Sequence, residues 1–280
     1  MHYNTLILSI VTFVYGLAAV LYVFAWVFHK EAPGRLATWV TLAACVGNAA
    51  GWGLRWYESY QVGSGYGHAP LSNIYESLTF YALTIGVIYL LVEKRYKNRV
   101  LGAFAVPLAF FALAFASFGT NDQIQPLIPA LKSNWLIAHV ITCFIGYAAF
   151  GLAFGVSILY LFRSGRTSGK SVSRLPDTFI LDELTHQLIM FGFLFLTVGI
   201  ITGSVWANSA WGRYWGWDPK ETWSFITWLI YAAMLHFRMM RGWRGKRIAV
   251  LSIIGFAAVL FTYFGVNLLP GLHSYGALKG

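Results

Sequence analysis

Charge is what this chain of 280 residues has least of: 11% of its residues are Asp, Glu, Lys or Arg, against 58% hydrophobic. A soluble domain carries about 25% charged residues, so a water-soluble fold is excluded and an integral membrane protein expected. Cysteine is nearly absent. Cys45 and Cys143 both fall inside apolar stretches and form no CxxC pair, which excludes a disulfide framework and a thiol redox motif. No internal repeat or low-complexity tract is visible, and no polar stretch is long enough for a separate soluble domain.

Eight apolar stretches are present, at 5–28, 36–56, 71–92, 100–118, 135–162, 184–206, 221–238 and 248–267. Each is near the roughly 20 residues that carry a helix across the hydrocarbon core, where the backbone must satisfy its own hydrogen bonds. The expected fold is an all-α membrane protein of about eight transmembrane helices, a single polytopic domain over residues 1–280. Fifteen of the twenty Lys and Arg residues lie on alternate connections, while Arg55, Lys132, Arg213, Lys220 and Lys279 lie on the others. The positive-inside rule then puts both termini on the non-cytoplasmic side, with segment 206–228 also outside. Anionic lipid beside the inner loops accounts for the net charge of +10 without a nucleic acid. The first stretch lacks a basic leader and reads as an uncleaved span. Pro176 and Asp177 suggest the start of a short interfacial helix before the sixth span.

The densest signal is WANSAWGRYWGWDPKETWSFITW, residues 206–228, with Trp206, Trp211, Trp215, Trp217, Trp223, Trp228 and Tyr214 around one Asp-Pro-Lys-Glu turn. Asp218, Pro219 and Glu221 match a capping box that starts the seventh helix. That local role is compatible with a second one, the fixed presentation of the preceding rings. An interfacial aromatic belt spreads its rings over many spans, whereas here four Trp fall between Trp211 and Trp223. Such density suits a large, planar, apolar ligand, and haem is the first candidate. CxxCH is absent, so haem would not be attached to this chain through that motif.

The histidines sharpen this reading. His139 lies one turn inside the outer end of the fifth span, and His273 follows the eighth; topology places both beside the aromatic segment. Two imidazoles on opposite sides of an iron make a bis-His site, while hydrogen-bonded interfacial histidines are the plainer alternative. His236 lies 17 residues after Pro219, about 25 Å along a helix at 1.5 Å per residue, near the inner end. An ionisable group at that depth is a functional candidate; a helix-end histidine reaching for the interface is its alternative. His186 and His29 read as interfacial. His68 precedes PLSNIYES, where Asn73 and Glu76 again resemble a capping box.

Together these residues resemble the haem-handling family of cytochrome c biogenesis, of the CcsA/ResC type in the system II pathway. WGRYWGWDPKETW matches its tryptophan-rich WWD signature, and the likeness extends through RWYES, GHAPLSNIYES, LDELTHQ and ITWLIYAAMLHFR. The resemblance implies haem b as a transported, non-covalently held substrate. It implies His139 and His273 as external iron ligands, with Trp211, Tyr214, Trp215, Trp217, Asp218 and Trp223 around them. His236 would belong to an inner site whose other ligand comes from a CcsB/ResB-type membrane subunit. The expected role is haem export and its presentation to the CxxCH cysteines of apocytochrome c, as a subunit of a holocytochrome c synthase. Arg213 and Lys220 are expected near the haem propionates. A bacterial cytoplasmic membrane is the expected location, with a thylakoid membrane compatible. The alternatives are a haem-b electron-transfer subunit and a haem exporter without a ligation role.

Overall fold

The computed structural model describes residues 3–63, 65–165 and 175–271. Each apolar stretch lies on an α-helix: α1 (Tyr3–Val27), α2 (Glu31–Val62), α3 (Ile74–Tyr96), α4 (Gly102–Gly119), α5 (Asn134–Ser164), α6 (Thr178–Trp211), α7 (Pro219–Arg241) and α8 (Lys246–Tyr263). No strand forms among the described residues. Six helices, all but α2 and α7, are long and apolar enough to cross a membrane. The chain is therefore an all-α integral membrane protein. α2 carries Glu31, Arg35, Asn48, Arg55 and Glu58, and α7 opens on Pro-Lys-Glu-Thr and ends on Arg238 and Arg241, which dilutes both.

The helices form two compact units, residues 1–132 and 133–279. Within the first, α1 packs on α2 and α4, and α3 on the same two helices. Within the second, α5 packs on α6 and α8, and α7 on those two as well. Each unit is thus a ring of four helices.

The helices overrun the apolar stretches. α2 continues to Val62, so Arg55 lies within a helix rather than on a connection. α6 begins at Thr178, directly after its N-cap position Asp177, and runs unbroken for 34 residues. Among the described residues no separate interfacial helix precedes it: no proline interrupts Thr178–Trp211, and Asp182 finds Arg238 as a partner, at 2.7 Å. Trp206 and Trp211 accordingly stand on a helix. Gly212, in the left-handed region at φ 74°, ends it. At 1.5 Å per residue α6 spans about 51 Å, well beyond the ~30 Å hydrocarbon core.

In the first unit a buried polar cluster ties α2 to α3. Arg55 and Glu76 are both 1% exposed, with Nε and Oε1 3.0 Å apart. Arg55 also donates to Asn4 Oδ1 and to the carbonyls of Asp122 and Gln123, and its guanidinium lies 4.8 Å from the Tyr75 ring centre. Asn73 caps α3 by accepting from Glu76 N–H. The Glu76 carboxylate accepts instead from Ser72 N–H and Oγ–H, so the capping box is only half formed. His68 donates through Nδ1 to the Tyr66 carbonyl (2.6 Å), and its Nε2 meets Ser72 Oγ (3.1 Å) and the Glu76 carboxylate (3.6 Å). Neither ring nitrogen is left over for a metal.

In the second unit, glycines set the approach of α5 to α6. A Cβ on Gly146 would stand 3.0 Å from the Gly192 carbonyl, and one on Gly199 would stand 2.5 Å from Cys143 Sγ. Small residues at such contacts let membrane helices pack closely where no hydrophobic drive brings them together. At one end, Arg238 of α7 pairs with Asp182 (2.7 Å) and Glu183 (3.1 Å) of α6, and Asp182 also accepts from Gly245 N–H. Midway, Tyr231 stacks on Phe150 at 3.6 Å.

Breaking a buried ion pair by removing one partner costs about 3–5 kcal/mol, far more than replacing both with apolar groups. Arg55→Met is therefore expected to lower the Tm of the purified protein sharply, and Arg55→Met with Glu76→Leu to recover most of the loss; equal Tm values for single and double variants would contradict this. Burial opposes charge on His68, but its bonds to Glu76 and the Tyr66 carbonyl outweigh burial and raise its pKa. A raised folded-state pKa stabilises below the unfolded value of about 6.5 and is lost as pH rises through the folded value. Tm should therefore fall over that interval in the native chain and less in His68→Gln, measured as a pH series of melting curves.

Candidate functional site

One end of the second unit is built for rings. Ser133 caps α5 by accepting from Trp135 N–H, which sets His139 on the second turn, facing α6. Its Nδ1 lies 2.7 Å from the carbonyl oxygen of Gly199. A carbonyl can only accept, so Nδ1 carries the proton and Nε2 keeps its lone pair. Histidine ligands to metals are commonly held this way, the second nitrogen donating to a carbonyl that fixes tautomer and ring plane. Gly203 leaves room for the ring: a Cβ there would stand 2.6 Å from His139 Nδ1. Trp206, one turn on and 2% exposed, lies nearly parallel to the imidazole at 6.0 Å and 14°.

The turn from α6 to α7 is short, residues 212–218, and tightly tied. Asp218 caps α7 by accepting from Lys220 N–H, and Glu221 completes the capping box. Glu221 Oε2 accepts from both Gly216 N–H (2.7 Å) and Asp218 N–H (3.2 Å). Those two donors flank Trp217, whose φ of 57° is in the left-handed region that a bulky residue rarely enters. The carboxylate thus pins a strained tryptophan in place. Trp217 is 68% exposed and meets Trp215 edge to face at 5.7 Å.

A cavity of about 130 Å³ opens between α5, α6, this turn and α8. Its walls include His139, Cys143, Phe144, Tyr147, Gly203, Trp206, Tyr214, Trp215, Lys220, Glu221 and Tyr263. Of the residues expected from sequence, His139, Tyr214, Trp215 and Lys220 line it. Trp211 packs on Trp206 at 4.9 Å, one layer back. Asp218 is buried as the helix cap, and Trp217 stands outside. Trp223 lies against Phe261 at 4.2 Å, on the α8 side and away from the cavity wall. His273 lies outside the described residues; the described chain ends at Gly271, where a Cβ would stand 2.7 Å from Asp218 Oδ1.

His236 is not part of this cluster. It is exposed on α7, sixteen residues beyond Lys220, about 24 Å along the helix. Arg238, two residues on, turns inward to Asp182, so His236 faces away from the unit's core. Half-buried His186 lies within electrostatic reach of Arg238, Asp182 and Glu183.

Sequence reading missed the glycines and Cys143. Gly199 and Gly203 form a GxxxG pair inside the sixth apolar stretch, a recognised sign of close helix approach, so the contact was visible in principle. The partner face on α5 was not.

Comparison with known proteins agrees with this architecture. A family model described as Cytochrome C assembly protein matches residues 71–273. Among curated relatives, the cytochrome c biogenesis protein CcsA of Parasynechococcus marenigrum (strain WH8102) is 43% identical, covering 81% of this chain and 82% of its own length. CcsA of Pyropia yezoensis is 38% identical over 96% of this chain and 97% of its own. Among solved structures, one titled Cytochrome c Heme Lyase CcmF superposes with a TM-score of 0.68 at 18% identity, over 95% of this chain and about half (49%) of that one, a likeness of fold. With a family match over most of its length and relatives near 40% identity over four-fifths or more, this chain belongs to the cytochrome c assembly family and is a cytochrome c biogenesis protein of the CcsA type.

Proposed function

We propose that this protein carries haem b and presents it for covalent attachment to the CxxCH cysteines of apocytochrome c, as the haem-handling subunit of a system II cytochrome c synthase. The observation that carries the reading is the His139–Gly199 hydrogen bond, which leaves Nε2 as the one imidazole nitrogen available to a metal beside a wall of aromatic rings. The donor set suits iron within a macrocycle. Among the described residues no three His, Cys, Asp or Glu side chains gather to hold a bare ion, whereas a porphyrin supplies four nitrogens and asks the protein only for axial ligands. The second axial ligand is His273, the external histidine that the resemblance to the CcsA/ResC type pairs with His139. The enclosed space is below the roughly 300–1,000 Å³ of an ordinary ligand pocket. The exposed rings of Tyr214 and Trp217 offer further surface for a porphyrin plane.

The attachment needs position more than acid or base chemistry. In each thioether the cysteine sulfur bonds one vinyl carbon and the thiol hydrogen goes to the other, with no net redox change. The contribution of this chain is proximity and orientation: His139 fixes the iron, and the turn pinned by Glu221 fixes the rings. His236, outward on α7 between Ala233 and Met240, belongs to an inner site completed by a CcsB/ResB-type subunit. The membrane is a bacterial cytoplasmic or a thylakoid one, with the aromatic site on the non-cytoplasmic side. CcsA relatives from cyanobacterial strains and red algae support that location.

His139→Ala is expected to weaken the bis-His haem spectrum of the purified complex and to abolish c-type but not b-type cytochromes in cells, with exogenous imidazole restoring the spectrum; a normal spectrum together with normal c-type cytochromes would remove His139 from the site. Gly203→Ala should act on the same ring from behind, by displacing it from the Gly199 carbonyl. Its expected signature is a haem content reduced about tenfold, the effect typical of losing a partner that orients a metal ligand, and wild-type content in that variant would count against the orienting role.

A further inference from the structure

The cavity wall carries a cation, Lys220, with no direct ion pair among the described residues. Of the two nearest acids in sequence, Asp218 favours the Lys220 charge without pairing directly with it, its carboxylate capping α7 at Lys220 N–H, and Glu221 holds the backbone of Gly216 and Asp218. Lys220 shares the walls of that space with His139 and Cys143. An ammonium among Phe144, Trp206, Trp215 and Tyr263 is costly unless something anionic meets it. Arg213, the other cation of the turn, is exposed; its guanidinium lies against Gly216 and does not line the cavity.

We propose that Lys220 receives a carboxylate of the porphyrin, and so decides which edge of the macrocycle enters the cavity. The proposal rests on the haem-presenting reading above and adds a rule of orientation to it. In protoporphyrin IX the two propionates occupy one edge and the two vinyls lie toward the opposite one. A macrocycle whose iron is bound by His139 and whose propionate is bound by Lys220 has two fixed points. Rotation in its own plane is thereby stopped, and the vinyl edge is left turned away from Lys220 for an incoming thiol. Arg213 has no part in this, which narrows the expectation drawn from charge alone.

The test compares iron protoporphyrin IX with its dimethyl ester, bound to the full chain in lipid nanodiscs and followed by the Soret band. The ester has the same iron and vinyls but no carboxylate. The native chain is expected to bind the free acid roughly 10–100-fold more tightly than the ester, the range that a charge-assisted hydrogen bond supplies. Lys220→Met should bind acid and ester alike, at the affinity of the native chain for the ester and with the same Soret position. Lys220→Arg should keep most of the preference. Equal affinities in the native chain would overturn the proposal whatever the variants do, and so would a preference that survives in Lys220→Met. A native chain that binds neither porphyrin, or binds both with no dependence on His139, would overturn the haem-presenting reading and the proposal together.

Discussion

The close approach of α5 and α6 is the constraint on which the site depends. Lipid tails give two apolar helices no reason to associate, so contact has to come from fit between backbones. Gly146 meets Gly192, Gly199 meets Cys143, and Gly203 meets the face of the His139 ring. Because the backbones come this near, an imidazole on one helix can reach a main-chain carbonyl on the next. In a helix that carbonyl already accepts one bond from within the helix. The histidine uses the carbonyl's remaining acceptor capacity, shared with the Thr202 hydroxyl at 3.1 Å. The Nδ1–H of His139 therefore has a partner.

The aromatic turn follows a different logic. Its Tyr214 and Trp217 rings are exposed, and Trp217 holds a backbone angle that tryptophan disfavours. The order comes from polar atoms: the Asp218 cap, Pro219 at the first helical position, and one Glu221 oxygen shared by two amides. The capping box and the presentation of the rings are thus one device. The residues that start α7 are the same ones that hold the tryptophans.

Much of the fold was legible because hydropathy is a strong signal. Every apolar stretch is helical, and the His139 register one turn inside α5 matches the spacing. Helix ends were less legible. Apolar runs stop where a charge appears, but helices stop where hydrogen bonding does, so Arg55 counts with the connections and the sixth apolar stretch opens only at 184, although Arg55 and Asp182 are each satisfied inside a helix. Arg55 and Glu76 stand 21 residues apart and their pairing has no local sign. The candidate site was legible in its rings and in His139. The support behind the ring was not, because a glycine against an imidazole is a fact about two helices at once. Trp223 shows the converse: a place in the motif does not assign a residue to the cavity wall.

The unbroken length of α6 carries a mechanical consequence. Near its start, Asp182 and Glu183 hold the stretch of α7 that bears His236; near its end, Gly199, Gly203 and Trp206 seat His139. With no proline between those points, the two ends share one rigid rod and one angular register. Inserting or deleting a single residue between Thr185 and Gly199 would turn one end about 100° against the other. The spacing along this helix is therefore a phase relation between two distant imidazoles, and a chain that kept both histidines but lost that phase would have its parts facing different ways.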